Sequence, residues 1–280
     1  MRRLRQCLLL LPALLALGCT PMFFQPLGSH VRTPADINLA YEDVHFSASD
    51  GVKLHGWFLP ARGKARATVL FLHGNAENIS THIGSVYWLP QEGFNVFLPD
   101  YRGYGRSQGV PTLEGLHADV DGSVRYLLDR PDLDPDRLIV FGQSLGGAIA
   151  VHYVAHTAHR RHIRGLVVDS AFASYRDIVR EKLASFWLTW PLAWPLARTV
   201  EDAYSPVRSI AQVSPIPLLI IHGERDPIVP PGHARRLYEA ADSPKALWLV
   251  PEAGHIQTFG SLGQRRRFVA FLEAILPASR

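Results

Sequence analysis

Cysteine is nearly missing from this 280-residue chain: Cys7 and Cys19 are the only two. Their shortage removes a disulfide framework, a thiolate metal site and a cysteine nucleophile from everything beyond residue 19. A body without cross-links is held by its core alone, and the roughly 260 residues that follow a leader are ample for one α/β domain. A membrane-spanning run is missing as well. The apolar stretch from Cys7 to Leu17, broken by Pro12, is shorter than the roughly 20 residues that cross a bilayer. Charge of one sign is also scarce. The net charge of +4 comes from 29 Lys+Arg against 25 Asp+Glu, and without Arg2, Arg3 and Arg5 the balance is 26 against 25. The basic balance therefore points to no nucleic-acid partner. The body carries no repeat and no low-complexity block.

What is present is a glycine-flanked serine. Gly142-Gln143-Ser144-Leu145-Gly146 follows the β-branched run Arg137–Phe141 and precedes the small-residue helix pattern Gly147–Val151. Strand, serine turn and helix in that order spell a nucleophile elbow. The turn is so tight that side chains two residues to either side of the serine would collide, and glycine stands at both places. The turn lifts the hydroxyl clear of the sheet and aims the new helix's N-terminal amides at the reaction centre.

An acid and a histidine follow in telling positions. Pro217–Gly223 reads as a buried strand whose exit loop holds Asp226; Ala246–Val250 reads as another, with His255 in the loop beyond it. Asp169, after the strand Gly165–Val168, and Glu252, near His255, are rival acids; Asp226 has the more typical loop. The order Ser, Asp, His is that of α/β-hydrolases rather than chymotrypsin-like or subtilisin-like enzymes, and from about Tyr41 onward the chain resembles that superfamily.

The resemblance implies a mostly parallel eight-stranded sheet with helices on both faces and a short helical cap. It implies Ser144 as nucleophile, His255 as base and Asp226 as the acid that orients it. The strand Thr68–Leu72 runs into His73-Gly74-Asn75, which resembles the oxyanion turn of the superfamily. The N–H of Leu145 and that of Asn75 (or Ala76) are the implied donors, with His73 bracing the loop. Asp100-Tyr101-Arg102-Gly103-Tyr104-Gly105-Arg106-Ser107 resembles a further superfamily segment, read as structural, with Asp100 and Arg102 holding loops. No cofactor and no metal are implied.

The N-terminus reads as a secretory signal over residues 1–18, with a basic start and an apolar middle. Leu15-Ala16-Leu17-Gly18-Cys19 resembles a bacterial lipoprotein signal, although Ala16 stands where leucine is commoner. It implies Cys19 as the lipidated first residue and a catalytic domain outside the cytoplasm, fixed to an envelope membrane that the sequence does not specify. Residues 19–40 are expected as lipidated end and tether, and 41–280 as the hydrolase domain.

Along that domain, a hairpin is expected around Asp50-Gly51. Helices are expected near Thr81–Glu92, Leu113–Asp129, Leu145–His156, Gly232–Ala240 and Arg265–Ile275. Residues 171–213 interrupt the alternation and carry Phe186, Trp187, Trp190 and Trp194; aromatics at helical spacing are read first as the cap's own packing, with an acyl-pocket lining or a contact with lipid as the alternatives. His152, His156, His159 and His162 are read as exposed residues of a helix end, and Arg265-Arg266-Arg267 as a solvated helix face.

The His-Gly-Asn, Asp-Tyr-Arg-Gly-Tyr-Gly and Gly-Gln-Ser-Leu-Gly-Gly segments together resemble the membrane-associated, serine-aminopeptidase-like branch that includes protein depalmitoylases. The expectation is a monomeric serine hydrolase acting on a small carboxylic ester, thioester or acylated substrate beside a membrane. An aminopeptidase-like enzyme, its amine site drawn from Glu181, Glu201 or Asp202, is the nearest alternative. A non-catalytic binding lipoprotein is the other.

Overall fold

Runs such as Val69-Leu70-Phe71-Leu72 and Ile139-Val140-Phe141 are apolar at every position, so both faces of the sheet they build must be covered. The computed structural model describes residues 24–277. Residues 1–18 and Cys19, expected as signal and lipidation site, lie outside the described residues. The chain opens with β1 (Gln25–Pro26), then forms the hairpin β2 (Glu42–Ser47) and β3 (Lys53–Leu59) around Asp50-Gly51, with Gly51 at φ 91°. There follow β4 (Ala67–Leu72), β5 (Ala76–Glu77), β6 (Phe94–Asp100), β7 (Leu138–Gln143), β8 (Ile163–Asp169), β9 (Leu218–Gly223) and β10 (Lys245–Val250). Eight of these form one sheet in the order β10-β9-β8-β7-β4-β6-β3-β2, antiparallel at β2–β3 and β3–β6 and parallel elsewhere. β1 and β5 make a separate two-stranded parallel pair.

Alternate side chains of each inner strand enter opposite cores. Leu70, Val140, Leu166 and Val168 meet Leu116, Val120, Val124 and Ile149 on one face. Phe71, Phe141, Val167 and Ile221 meet Trp88, Phe259, Phe268 and Leu272 on the other. The covering helices are α1 (Ile79–His82), α2 (Leu113–Leu128), α3 (Leu145–His156), α4 (Tyr175–Ala184), α5 (Ala193–Ala197), α6 (Pro206–Ser209), α7 (Gly232–Ala240) and α8 (Leu262–Ala274). Thr112 caps α2 by accepting Gly115 N–H at 3.0 Å, and Ser174 caps α4 by accepting Asp177 N–H at 3.1 Å.

Four expectations are revised. The helix read over Thr81–Glu92 is instead α1 followed by two short 3-10 turns, Ile83–Ser85 and Leu89–Glu92, because Pro90 and Gly93 do not sustain a long helix. The residues from Phe24 to Ala40, read as part of a tether, lie against the domain: Phe24 and Pro34 are buried, and β1 pairs with β5. The arginine run is not simply solvated, since Arg265 lies over the Tyr87 and Trp88 rings and Arg267 over Trp248. His152 is half-buried between His117 and Tyr204, and burial, with His156 beside it, lowers its pKa to about 4.

One ion pair ties three elements beneath the sheet's edge. Arg102 N–H and Nε donate to Asp119 of α2 at 2.8 and 2.9 Å, and its Nη1 reaches Asp50 of the hairpin at 2.9 Å. Asp119 is fully buried, so its removal leaves a buried guanidinium half-paired. Asp119→Ala is expected to destabilise the fold by about 3 kcal/mol, read as a lower urea midpoint at unchanged slope. An unchanged midpoint would mean that Asp50 alone satisfies Arg102.

Candidate active site

A parallel sheet delivers the loops after its strands to one edge, and Asn75, Ser144, Asp226 and His255 all follow strand ends there. Ser144 sits between β7 and α3 with φ 52° and ψ −116°. A Cβ at Gly142 would come within 2.3 Å of Gly146 O, and one at Gly146 within 2.1 Å of Leu72 O. Both glycines are therefore demanded by backbone packing, as the spacing predicts.

Asp226 leaves the end of β9. Its Oδ1 accepts the N–H groups of Ile228 and Val229 at 2.8 and 2.9 Å, and its Oδ2 accepts His255 Nδ1–H at 2.7 Å. Burial alone would raise this carboxyl, but hydrogen bonds from His222, His255 and Val229 outweigh it and hold the pKa well below the carboxylate range. Of the three acids considered, Asp226 is the one bonded to His255. Asp169 is fully buried and turned elsewhere: Gln143 Nε2 donates to it at 2.8 Å and Ser170 Oγ at 3.1 Å, and burial raises its pKa. Glu252 is exposed and paired with Arg225 at 2.7 Å.

The end of β8 sets Ser144 and His255 relative to each other. Ser144 N–H donates to Asp169 O at 2.9 Å, and Ile256 N–H to Ser170 Oγ at 3.1 Å, so consecutive residues index both loops. No hydrogen bond joins His255 to Ser144 Oγ among the described residues; that contact is commonly long in empty hydrolase sites.

The turn after β4 lies against Ser144. A Cβ at Gly74 would stand 3.6 Å from Ser144 Cβ and 3.0 Å from His82 Cε1. Tyr104 OH donates to Asn75 O at 2.7 Å and Gln25 N–H to Asn75 Oδ1 at 3.1 Å, fixing the peptide that follows Asn75. Leu145 opens α3, so its N–H has no partner within the helix. His73 is a brace: fully buried, its Nδ1 lies 2.8 Å from Gly74 O and its ring 4.2 Å from that of Tyr101. Burial, then the nearby His82, push its pKa down to about 3.

Sequence reasoning missed His82. It closes α1, its Nε2 faces Ala76 O at 3.1 Å, and its buried Nδ1 has no partner among the described residues. Burial lowers its pKa. It lines a groove of about 480 Å³ with Glu77, Ile256, Gln257, Phe259 and Arg265. Ile256 follows His255 directly, so the groove borders the site. Lone histidines give no signal of such convergence; only the tertiary fold brings His82 there.

Residues 63–204 match the family profile described as serine aminopeptidase, S33. The chain is 41% identical over 223 residues to the uncharacterised protein YfhR of Escherichia coli, covering 78% of this chain and 74% of that one. It is 30% identical over 231 residues to the protein bem46 of Schizosaccharomyces pombe, covering 79% and 73%. Among solved structures, an esterase of Pyrococcus furiosus superposes with a TM-score of 0.73 at 25% identity, covering 91% of this chain and 98% of the other. The chain is an α/β-hydrolase of the serine aminopeptidase S33 family.

This hydrolase carries one further cluster beside the site. His30 Nε2 and His55 Nδ1 lie 2.7 and 3.3 Å from Asp100 Oδ2, Ile79 N–H donates to Oδ1 at 3.1 Å, and His55 Nε2 lies 2.7 Å from Asp43 Oδ1. Among the described residues, His30, His55 and Asp100 are the group close enough to hold a metal ion. A Cβ at Gly105 would stand 2.6 Å from His30 Nε2, so backbone packs tightly against the cluster. The arrangement is that of a hydrogen-bonded clasp, fastening the segment before β2 to the end of β6.

Burial would raise Asp100, but hydrogen bonds from His30 and His55 prevail and bring its pKa down to about 2. That is below the roughly 3.9 of an unfolded aspartate. The carboxylate thus stabilises the fold in full above about pH 4, by about 2 kcal/mol, and the contribution is lost as pH falls toward 2. Urea unfolding of the wild type and Asp100→Asn should show a stability gap that narrows as pH falls below about 4. A gap that does not change with pH would refute the clasp.

Proposed function

We propose that the chain is a serine hydrolase cleaving carboxylic ester or thioester bonds through an acyl-enzyme. The observation that carries this reading is the 2.7 Å bond from His255 Nδ1 to Asp226, beside a serine held at φ 52° on an elbow. In this mechanism Ser144 Oγ attacks the acyl carbon while His255 Nε2 takes its proton, and ionised Asp226 keeps Nδ1 protonated and supports the imidazolium. The N–H groups of Leu145 and Asn75 stabilise the oxyanion, each contributing roughly a hundred- to thousand-fold in rate. His255 returns the proton to the leaving group, then activates the water that releases the acid. The likeness to the Pyrococcus furiosus esterase supports an ester substrate.

Two of the three acids considered for a peptidase's amine site are already paired. Glu181 lies 2.9 Å from His233, and Asp202 accepts from Ser174 at 2.8 Å and Arg208 at 2.9 Å. Glu201 is exposed, so an amine site in the cap would have to be drawn from it. In the same reading, Cys19 is lipidated after cleavage of residues 1–18 and holds the enzyme to an envelope membrane, outside the cytoplasm.

A fluorophosphonate probe is expected to modify Ser144, located by mass spectrometry, and to leave Ser144→Ala unmodified. Asp226→Asn should fold but turn over ester about 10⁴-fold more slowly, since the imidazole then settles in the wrong tautomer. An unlabelled, well-folded wild type would favour the binding lipoprotein; faster turnover of aminoacyl anilides than of esters would install the peptidase.

A further inference from the structure

The cap turns the wrong residues outward for a surface bathed in water. No charged side chain occurs from Leu183 to Ala197, and Lys182 and Arg198 flank the stretch. Trp187, Trp190, Trp194 and Phe186 are 79, 66, 64 and 52% exposed, with Leu188 and Leu192 beside them. Within the same stretch only Ala193 and Ala197 are buried, their helix packing on α4, where the Arg180 guanidinium lies 5.0 Å over one face of the Trp194 ring. Small residues inward and tryptophans outward invert the amphipathic pattern of an ordinary surface helix, and contiguous patches of this kind mark interaction sites. The backbone between the helices satisfies itself: Trp190 N–H donates to Phe186 O at 2.9 Å, Leu192 N–H to Thr189 O at 2.9 Å, and Thr189 Oγ1 to Leu183 O at 2.6 Å.

We propose that the cap segment 183–197 is a bilayer-docking surface, its aromatic side chains seated at the level of anionic lipid headgroups. Tryptophan with an apolar body, a polar edge and basic flanks is the composition that partitions to a membrane interface. Its neighbours place that surface at the catalytic loop. Lys182 Nζ lies 3.4 Å from Pro227 O, next to Asp226, and Ile228 of that loop is 48% exposed.

The start of the chain points to the same occupant. Gln25 and Pro26 pair with Ala76 and Glu77, on the loop after β4, so the chain enters at the sheet edge from which the cap also rises. Cys19 stands five residues before Phe24, a reach of at most about 18 Å when fully extended. An anchor on that tether holds this edge close to the bilayer. The inference deepens the membrane placement proposed above and does not depend on the ester chemistry.

The test uses the full chain with vesicles of phosphatidylethanolamine and phosphatidylglycerol, with and without brominated acyl chains. Trp187, Trp190 and Trp194 are three of six tryptophans, and Trp57, Trp88 and Trp248 are buried in the domain. Docking predicts that brominated lipid removes up to half of the emission of floated protein, and that a Trp187→Ser/Trp190→Ser/Trp194→Ser variant floats equally but loses this quenching. Flotation without quenching would overturn the docking surface and leave the anchor standing; if iodide also failed to reach these tryptophans, a second copy or the N-terminal segment would be the occupant. Failure to float would overturn both. Fluorophosphonate labelling of the same samples reports separately on the hydrolase.

Discussion

Ser144 occupies a backbone conformation, φ 52° and ψ −116°, that side chains other than glycine's rarely adopt. Such a residue costs on the order of 1–3 kcal/mol and persists only where its surroundings leave no other choice. Here the surroundings are three backbones in contact. Gly142 abuts Gly146, Gly146 abuts Leu72, and Ser144 N–H is held by Asp169. β4, β7 and β8 must therefore end in register, and that alignment is what the parallel core supplies. Ser170 (φ 56°) and Ile256 (φ 52°) repeat the device one residue further on and carry the His255 loop.

Burial then sorts the ionisable groups. His73 and His82, close to the serine, are driven neutral by desolvation, so they place no cation in competition with the imidazolium that forms during turnover. Asp169 and Asp226 are both buried, yet burial raises the first while its hydrogen-bond donors hold the second down. The difference lies in what faces the oxygens. Asp226 meets two backbone N–H groups and the imidazoles of His222 and His255, whereas Asp169 meets an amide and hydroxyls. Two carboxylates at the ends of neighbouring strands thus take different duties without different chemistry of their own.

How much of this was legible depended on range in the chain. The inner strands and α3 could be read because apolar runs and periodicity are local, and the elbow because its glycine spacing is local, although Gly146 answers to Leu72 on the neighbouring strand. The hairpin at Asp50-Gly51 needed only its turn chemistry. The choice of Asp226 rested on loop position, a weak signal that the 2.7 Å bond now supplements. The clasp of His30, His55 and Asp100 was illegible because it is assembled across 45 to 70 positions, and His82 because only the fold sets it beside the Ser144 turn. The aromatic cap misled for a different reason: helical spacing fixes which residues share a face, while the direction of that face depends on what lies beneath it. Alanines proved sufficient to seat α5, which left the tryptophans outside.

A short tether changes how strongly such a face must bind. Once an anchor confines the domain near a bilayer, docking becomes an intramolecular event with an effective concentration in the range of millimolar. A surface of weak intrinsic affinity is then mostly engaged, and it need not be so apolar that the domain aggregates before it is anchored. The flanking Lys182 and Arg198 fit that compromise, since a basic residue near an anionic surface contributes about 1 kcal/mol. Orientation follows without further contacts. With β1 and the cap on one edge, a bilayer that engaged both the proposed anchor and the proposed patch would face the Asp226 loop.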